Sequence, residues 1–440
     1  MHQWVASARD CNIQESDEAL LDRLQRGAFE YFTGYANAEN GLVADTSRPD
    51  SPCSIAVVGF ALSCYPIAVE RGWMSRAAAS ARTLSTLRFL SDSEQSKQAG
   101  ATGYKGFYYH FLDMRRGRRV WSCELSLIDT ALLLAGVLVA SLYFDRGADE
   151  AQIRALAHGL HSRVDWAWAL NEERTLAQGW KPESGFLHYG WEGYNEATIL
   201  YILAIASATH QLPAESFDHW RLSYQWENLL GFDTLYSGPL FTHLFSHAWI
   251  DFREIQDQFM REIGFDYFRN TQSAVAIQRE YAARNPRGFE GYCRNFWGIT
   301  AGDGPSDQAG TSAPRNRRVY GYTSRGVPYG PDDGTIAPWA MLATLPFGPE
   351  AALEGTRHLL AAYPQVCSGD RFVSGFNPGR QEDRGSWLSP GWFGLDQGLL
   401  VMMIENHRSG LIWRLTRGSQ VLRRGLRRAG FGGGWLINGD

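Results

Sequence analysis

The chain has 440 residues, a formal net charge of -5 and 20% charged residues, with no acidic or basic block. That excludes a nucleic-acid reader, which needs a clustered Lys/Arg face, and leaves the locally basic stretch 413–430 to read as the solvated end of a terminal helix. The scattered cysteines Cys11, Cys53, Cys64, Cys123, Cys293 and Cys367 make no CxxC and no paired metal spacing, so free thiols are expected rather than a disulfide framework.

In chain order, residues 17–33 place apolar side chains at helical spacing behind an acidic first turn. Residues 52–71 read as a mostly apolar helix bent near Pro66. Residues 75–91 read as an amphipathic helix with Ser75 as its N-cap. A Gly- and aromatic-rich stretch, 100–121, leads into the most apolar segment, 124–144. That segment is short for a bilayer span and carries Glu124 and Asp129 at its start, so a buried helix is expected. An amphipathic helix near 149–172 follows, then a loop at 179–196 feeding an apolar helix. Further helices are expected near 216–229, 249–263, 270–284, 336–346, 350–363, 395–408 and 410–427, with long loops at 285–335 and 364–394.

Nearly all-apolar helices alternate with amphipathic ones, as an inner ring covered by an outer ring requires. About a dozen helices with no repeat of fixed period predict an all-α (α/α)6 toroid rather than a solenoid or a four-helix bundle. No Pro/Ser-rich linker interrupts the chain. One domain over 17–428 is therefore expected, after an N-terminal extension 1–16 and before a flexible Gly-rich tail 429–440. The N-terminus shows no apolar leader, which predicts a cytoplasmic location for the chain as written and export only for a trimmed one. A monomer without a membrane span is the expected state.

The aromatic content is 13%, with 16 Trp, 19 Tyr and 23 Phe, and many of these rings stand beside Gly, Asn, Asp or Glu. A pyranose presents an apolar C–H face and a rim of hydroxyls, so a sugar cleft wants flat rings and carboxylates together. The segments with that composition are "VADTSRPDSPCSIA" (Asp45, Arg48), "YYHFLD" (Tyr109, His110), "CELSLIDT" (Glu124, Asp129) and "GWEGYNEAT" (Trp191, Glu192, Tyr194, Asn195, Glu196). Further on come "SHAWIDFR" (Trp249, Asp251), "WGITAGDGP" (Trp297, Asp303), "YGPDDGTIAPWA" (Asp332, Asp333) and "FGLDQG" (Asp396).

Glycoside hydrolysis needs two carboxyl groups flanking one bond: one donates a proton to the leaving oxygen, the other activates water or attacks. Glu124 and Glu192 are the expected pair, each at the mouth of an apolar helix where partial desolvation would hold a proton near neutrality. A separation of about 6.5–9.5 Å would mean inversion, and about 5–5.5 Å retention. Asp129 reads both as a first-turn cap and as a sugar ligand. Glu196 opens the next helix, so capping competes with substrate contact, and Asp332 and Asp333 before Gly334 also fit a simple turn. His243 and His247 have a zinc-compatible spacing without a third ligand, so no metal is expected. No Walker loop, GxSxG elbow or strand-bound GxGxxG is present, and no cofactor is needed.

Taken together, "GLVADTSRPDSPCSIAVVGFAL", "GFYYHFLD", "ELSLIDTALLLAGVL", "GWEGYNEATILYILA", "AWIDFR", "WGITAGDGP", "DGTIAPWA" and "DQGLLVMMIENHRSGLIW" resemble the glycoamylase-like domain. That family includes glycoside hydrolase family 144 and recurs within cyclic β-1,2-glucan synthases. The resemblance spans about residues 20–415. It implies an (α/α)6 toroid acting on β-1,2-linked glucose chains, whereas the older glucoamylase label would imply α-1,4 cleavage. It also places Glu124 and Glu192 in the family's acidic cleft motifs. The expected activity is hydrolysis, by preference inverting. Trp191, Tyr194, Trp249 and Trp297 would be sugar platforms, with Asp129, Glu196, Asp251 and Asp333 binding hydroxyls. A transglycosylase, a phosphorylase-like enzyme and an inactive glucan binder are the rival expectations.

Overall fold

Mostly apolar runs form helices buried on nearly all sides, and these line the centre of the molecule. They are Ile55–Glu70, Leu127–Tyr143, Thr198–Ala206, Phe245–Trp249, Pro338–Ala343 and Gly394–Arg408. The molecule is described by a computed structural model at residues 15–172, 174–305, 321–382 and 385–437. Ile55–Glu70 packs on Leu127–Tyr143 on one side and on Gly394–Arg408 on the other. Leu127–Tyr143 continues to Thr198–Ala206, and Gly394–Arg408 meets both Pro338–Ala343 and Phe245–Trp249. The tightest of these contacts depends on two glycines: a Cβ on Gly136 would lie 2.0 Å from the Gly59 carbonyl oxygen. Two helix backbones can approach that closely only where neither carries a side chain.

The outer helices bury one stripe each. Gly147–Ser162 buries Glu150, Ile153, Ala157 and Leu160, the three-to-four spacing of an amphipathic helix. Asp17–Phe29, Arg76–Asp92, Tyr267–Arg284, Pro349–Ala362 and Gln420–Arg428 complete the outer layer. Several start where a polar side chain satisfies the free N–H groups of the first turn: Ser16, Ser75, Asp266 and Ser419 each accept from a backbone N–H. The result is the (α/α)6 toroid that the alternation of helix types predicts. Its buried apolar side chains form one cluster from Leu20 to Leu436. No helix among the described residues is long and apolar enough to cross a membrane.

Differences from the sequence reading lie at helix ends and in loops. The helix expected at 52–71, broken or bent near Pro66, is one continuous helix from Ile55 to Glu70. The helix expected at 216–229 stops at Arg221, and the chain then forms the hairpin Trp226–Leu229 with Phe232–Leu235. Leu230 at φ 55 and Gly231 at φ 97 make the turn, which a helix cannot contain. The helix expected at 249–263 is two short pieces, Phe245–Trp249 and Gln258–Glu262, and that at 410–427 breaks at Gly418. The stretch 429–437, expected to be a flexible tail, is packed. Phe431 and Leu436 are buried, Gly432 pairs with Gln256, and the Trp435 indole donates to the Asp251 carbonyl at 2.7 Å. Residues 1–14 of the expected N-terminal extension, with Cys11, and residues 438–440 lie outside the described residues.

Short antiparallel strands connect the helices at one end of the ring. Gly103–Tyr104, Phe107–Tyr109, Leu125–Ser126, Gly179–Lys181 and Gly185–Phe186 make a five-stranded sheet in that order. Pairing of Tyr109 with Leu125 sets His110 beside Glu124 just past the strand ends. The His110 amide donates to the Glu124 carbonyl at 3.0 Å.

Candidate active site

Asp129 sits in the first turn of Leu127–Tyr143, where the helix dipole favours an anion. Its amide donates to the capping Ser126 Oγ at 3.2 Å, and the Ser126 hydroxyl donates in return to the carboxylate. His110 bridges two acids: Nδ1 lies 2.8 Å from Glu124 Oε1 and Nε2 lies 3.6 Å from Asp129 Oδ2. Burial opposes the charged ring. The charges of Asp129, Glu124 and Asp45 and the bond to Glu124 outweigh it and raise the imidazole to about 9. Burial likewise pushes Glu124 up, but the His110 bond and charge, with help from Lys181, hold its carboxyl below the usual value.

The remaining acids reach this pair from other loops. The Asp45 amide donates to Pro52, and its carbonyl accepts from Gly394 at 2.8 Å, which stitches its loop to the start of the Gly394–Arg408 helix. Asp396 lies in that helix's first turn. Asp303 is paired with Arg48, whose Nε also donates to the Pro390 carbonyl at 2.8 Å and whose guanidinium lies over Phe393. Glu196 precedes the Thr198–Ala206 helix; its carbonyl accepts from Ser246 Oγ at 2.9 Å.

Asp45, Glu196 and Asp396 keep a window to solvent yet are walled by protein, as groups on a cleft floor are. Enclosure pushes all three carboxyls up. Asp45 is raised to about 6 by burial and by Asp129 and Asp303, against the pull of His110 and Arg48. Glu196 is raised to about 7 by burial, with the Asp129 charge adding. Burial, with Asp45 and Asp303, takes Asp396 well above the ordinary range despite a bond to Ser374. Tyr322, a 65% exposed residue, lies within reach of their charges. Its phenol is raised to about 12 by crowding and by the charges of Asp396, Glu196, Asp303 and Asp45.

The structure therefore brings Asp45, Arg48, His110, Glu124, Asp129, Glu196, Asp303 and Asp396 together, and adds Tyr322. Other residues expected at the site sit elsewhere. Glu192 is exposed and its carboxylate lies beside Gly190, on the side of Asn171 and Thr175. Asn195 holds the turn between the two glutamates: its amide donates to the Glu192 carbonyl at 3.1 Å and its oxygen accepts from Ala197 N–H at 2.9 Å. Trp249 is fully buried with its indole N–H on Ser63, and Trp297 is fully buried too. Tyr109 is buried under Arg119, and Tyr194 is packed against Tyr267 and His243. None of these rings offers a face to a sugar. Trp191 is half-buried, and its carbonyl accepts from the Tyr201 hydroxyl. Asp251 is buried against Arg253 and Arg417, and Asp333 is chelated by Arg325 at 2.7 Å on both oxygens. Those two acids hold the fold.

Asp396 carries the same signal as Asp129, an acid in the first turn of an apolar helix. Tyr322 follows a glycine in a polar loop and carries none. His243 and His247 are buried and neutral, lowered to about 4 and about 3 by desolvation, as core histidines are. Among the described residues, one trio has donor atoms close enough to share a metal: His110, Glu124 and Asp129, within 4.8 Å of one another. It does not fit one well. The ring is protonated near neutrality, so neither nitrogen has a free lone pair.

A double ring of helices with a cluster of carboxylates at the mouths of the inner helices defines an (α/α)6 protein with one acidic end. The Glycoamylase family model matches residues 188–420, and the chain belongs to that family. It is 26% identical to an exo β-1,2-glucooligosaccharide sophorohydrolase (non-reducing end) of Parabacteroides distasonis, over 94% of this chain and 58% of that relative's length. A solved structure from Bacteroides uniformis that carries the family's glucoamylase designation superposes with a TM-score of 0.85 and 27% identity, covering 96% of this chain and 99% of that one. The endo-β-1,2-glucanase of Chitinophaga pinensis, solved with sophorotriose and glucose, shares the fold. Its TM-score is 0.83 at 24% identity, with 96% of this chain and 100% of that one covered.

Proposed function

We propose that the chain hydrolyses β-1,2-linked glucan or sophoro-oligosaccharides, with Glu196 as general acid and Asp45 as general base. The carrying observation is that two carboxyls of one enclosed cleft are lifted to about 6 and about 7. Near neutrality the lower one is ionised and still basic, while the higher one retains much of its proton. Glu196 gives its proton to the glycosidic oxygen as the C1–O bond breaks. Water attacks the anomeric carbon, and Asp45 takes its proton directly or through a sugar hydroxyl, which inverts the centre. Asp396 stays protonated and donates to a hydroxyl. Glu124, held ionised by His110, accepts from one and favours the positive charge that develops on the ring.

This assignment moves the acid from Glu192 to Glu196 and gives Glu124 a binding role. The Glu192 carboxylate is exposed and lies outside the acidic cluster, and a carboxyl paired with imidazolium gives its proton up. The linkage is supported by the β-1,2-glucan names of the Parabacteroides and Chitinophaga relatives.

Product analysis tests the reading: purified protein is incubated with linear β-1,2-glucan, laminarin, cello-oligosaccharides and soluble starch. New reducing ends from the β-1,2 chain alone are expected. Release from starch instead would restore the α-1,4 expectation. A redistribution of chain lengths at constant reducing ends would mean transfer, and intact polymers throughout would mean binding without catalysis.

A further inference from the structure

At the edge of the sheet that carries His110 and Glu124, Trp121 stands with 66% of its surface exposed. Trp121 at φ 56 and Ser122 at φ 50 are consecutive non-glycine residues in the left-handed region, a conformation that side chains disfavour and that persists only where surroundings impose it. Here they do. The Cys123 amide donates to Val120 at 3.1 Å, the Val120 amide donates to Phe111 at 3.1 Å, and Arg119 Nε donates to the Cys123 carbonyl at 2.6 Å. Arg119 is itself clamped by both oxygens of Glu183 and lies over the Tyr109 ring.

The indole is continuous with the acidic cluster. Its ring centroid is 5.1 Å from that of Phe111, and Phe111 is stacked on His110 at 3.9 Å and 12°. His110 in turn holds Glu124 and Asp129. Polar groups run alongside: Lys181 is close enough for its charge to act on both Glu124 and Glu183. An exposed indole backed by a second ring, two residues from the Arg119 that holds Glu183, matches the apolar face and hydroxyl rim of a glucose unit.

We propose that Trp121 is a stacking platform for a glucosyl unit of the glucan beyond the scissile linkage, with Lys181 and Glu183 bonding its hydroxyls. The platform makes the enzyme favour chains long enough to reach it. This rests on the β-1,2-glucan reading above.

The test is kcat/KM on linear β-1,2-glucan and on sophorotriose for wild type, Trp121→Ala and Trp121→Phe. The ratio of polymer to trisaccharide is expected to fall about 5- to 10-fold in Trp121→Ala and to recover most of the loss in Trp121→Phe. Melting curves matching the wild type are expected from both variants, since the ring is exposed. A wild type that cleaves no β-1,2-glucan overturns the functional reading and this platform with it. A cleaving wild type whose ratio is unchanged in both variants overturns the platform alone.

Discussion

Glu192 and Glu196 flank the same short turn, and chemically they are the same group. Gly193 at φ 71 reverses the chain between them and Asn195 pins the reversal. Glu192 is left in solvent, while Glu196 is walled in beside Asp129. Burial lifts the Glu196 carboxyl to about 7, so that it can carry a proton near neutral pH. Glu196→Gln is expected to lower kcat on β-1,2-glucan by about 10²- to 10⁴-fold, the usual worth of a general acid. Substrates whose leaving group departs without protonation should narrow that loss. Glu192→Gln, a surface substitution, should stay within about twofold of wild type. Steady-state rates of the two variants side by side decide the matter, and equal losses would sink the assignment of the acid.

At the scale of elements, Asp251 shows how an acid beside an aromatic can belong to the scaffold. Its side chain has 0% exposure and lies 2.7 Å from Arg253, with Arg417 of the Leu411–Arg417 helix on the same carboxylate. The Trp435 indole closes over the Asp251 carbonyl. Removing the carboxylate strands two guanidinium groups and loosens the 429–437 stretch. Asp251→Ala is expected to cost about 1–3 kcal/mol of stability, less than a fully buried pair would lose because both arginines reach solvent. The activity per folded molecule should be retained. Denaturant titration with active-site normalisation checks both halves, and a stable variant with failed sugar binding would return Asp251 to the site. The helices themselves were legible in the sequence because apolar periodicity is a property of ten or more residues at once. Which acids face the cleft was not, because it turns on single dihedrals and on strands of two or three residues, such as Leu125–Ser126. Periodicity says nothing at that length. Trp249 and Trp297 misled for the same reason: a ring beside an acid reads alike whether it lines a cleft or fills the core.

Across the whole molecule, the toroid gathers carboxylates from separate loops, and their mutual repulsion sets the pH dependence expected of the proposed reaction. Asp45 feels Asp129 and Asp303, and Asp396 feels Asp45 and Asp303, although each arrives from a different part of the chain. Activity should require Asp45 ionised and Glu196 protonated, so kcat/KM should trace a narrow bell with limbs near about 6 and about 7. Below the first limb the base is lost, and above the second the acid is lost, each roughly tenfold per pH unit. Because the two groups share one field, the limbs are properties of the cluster. Arg48 supplies part of that field: its positive charge pulls Asp45 down and pairs Asp303. Arg48→Gln therefore removes an attraction and leaves the repulsions, so Asp45 holds its proton to higher pH. The acid limb should move upward toward the alkaline one, narrowing the bell and lowering its peak. A pH series of kcat/KM on wild type and Arg48→Gln measures this directly. An acid limb that stayed fixed would mean that the base is a carboxylate outside the reach of Arg48, and a limb that moved down would reverse the sign of the electrostatic argument.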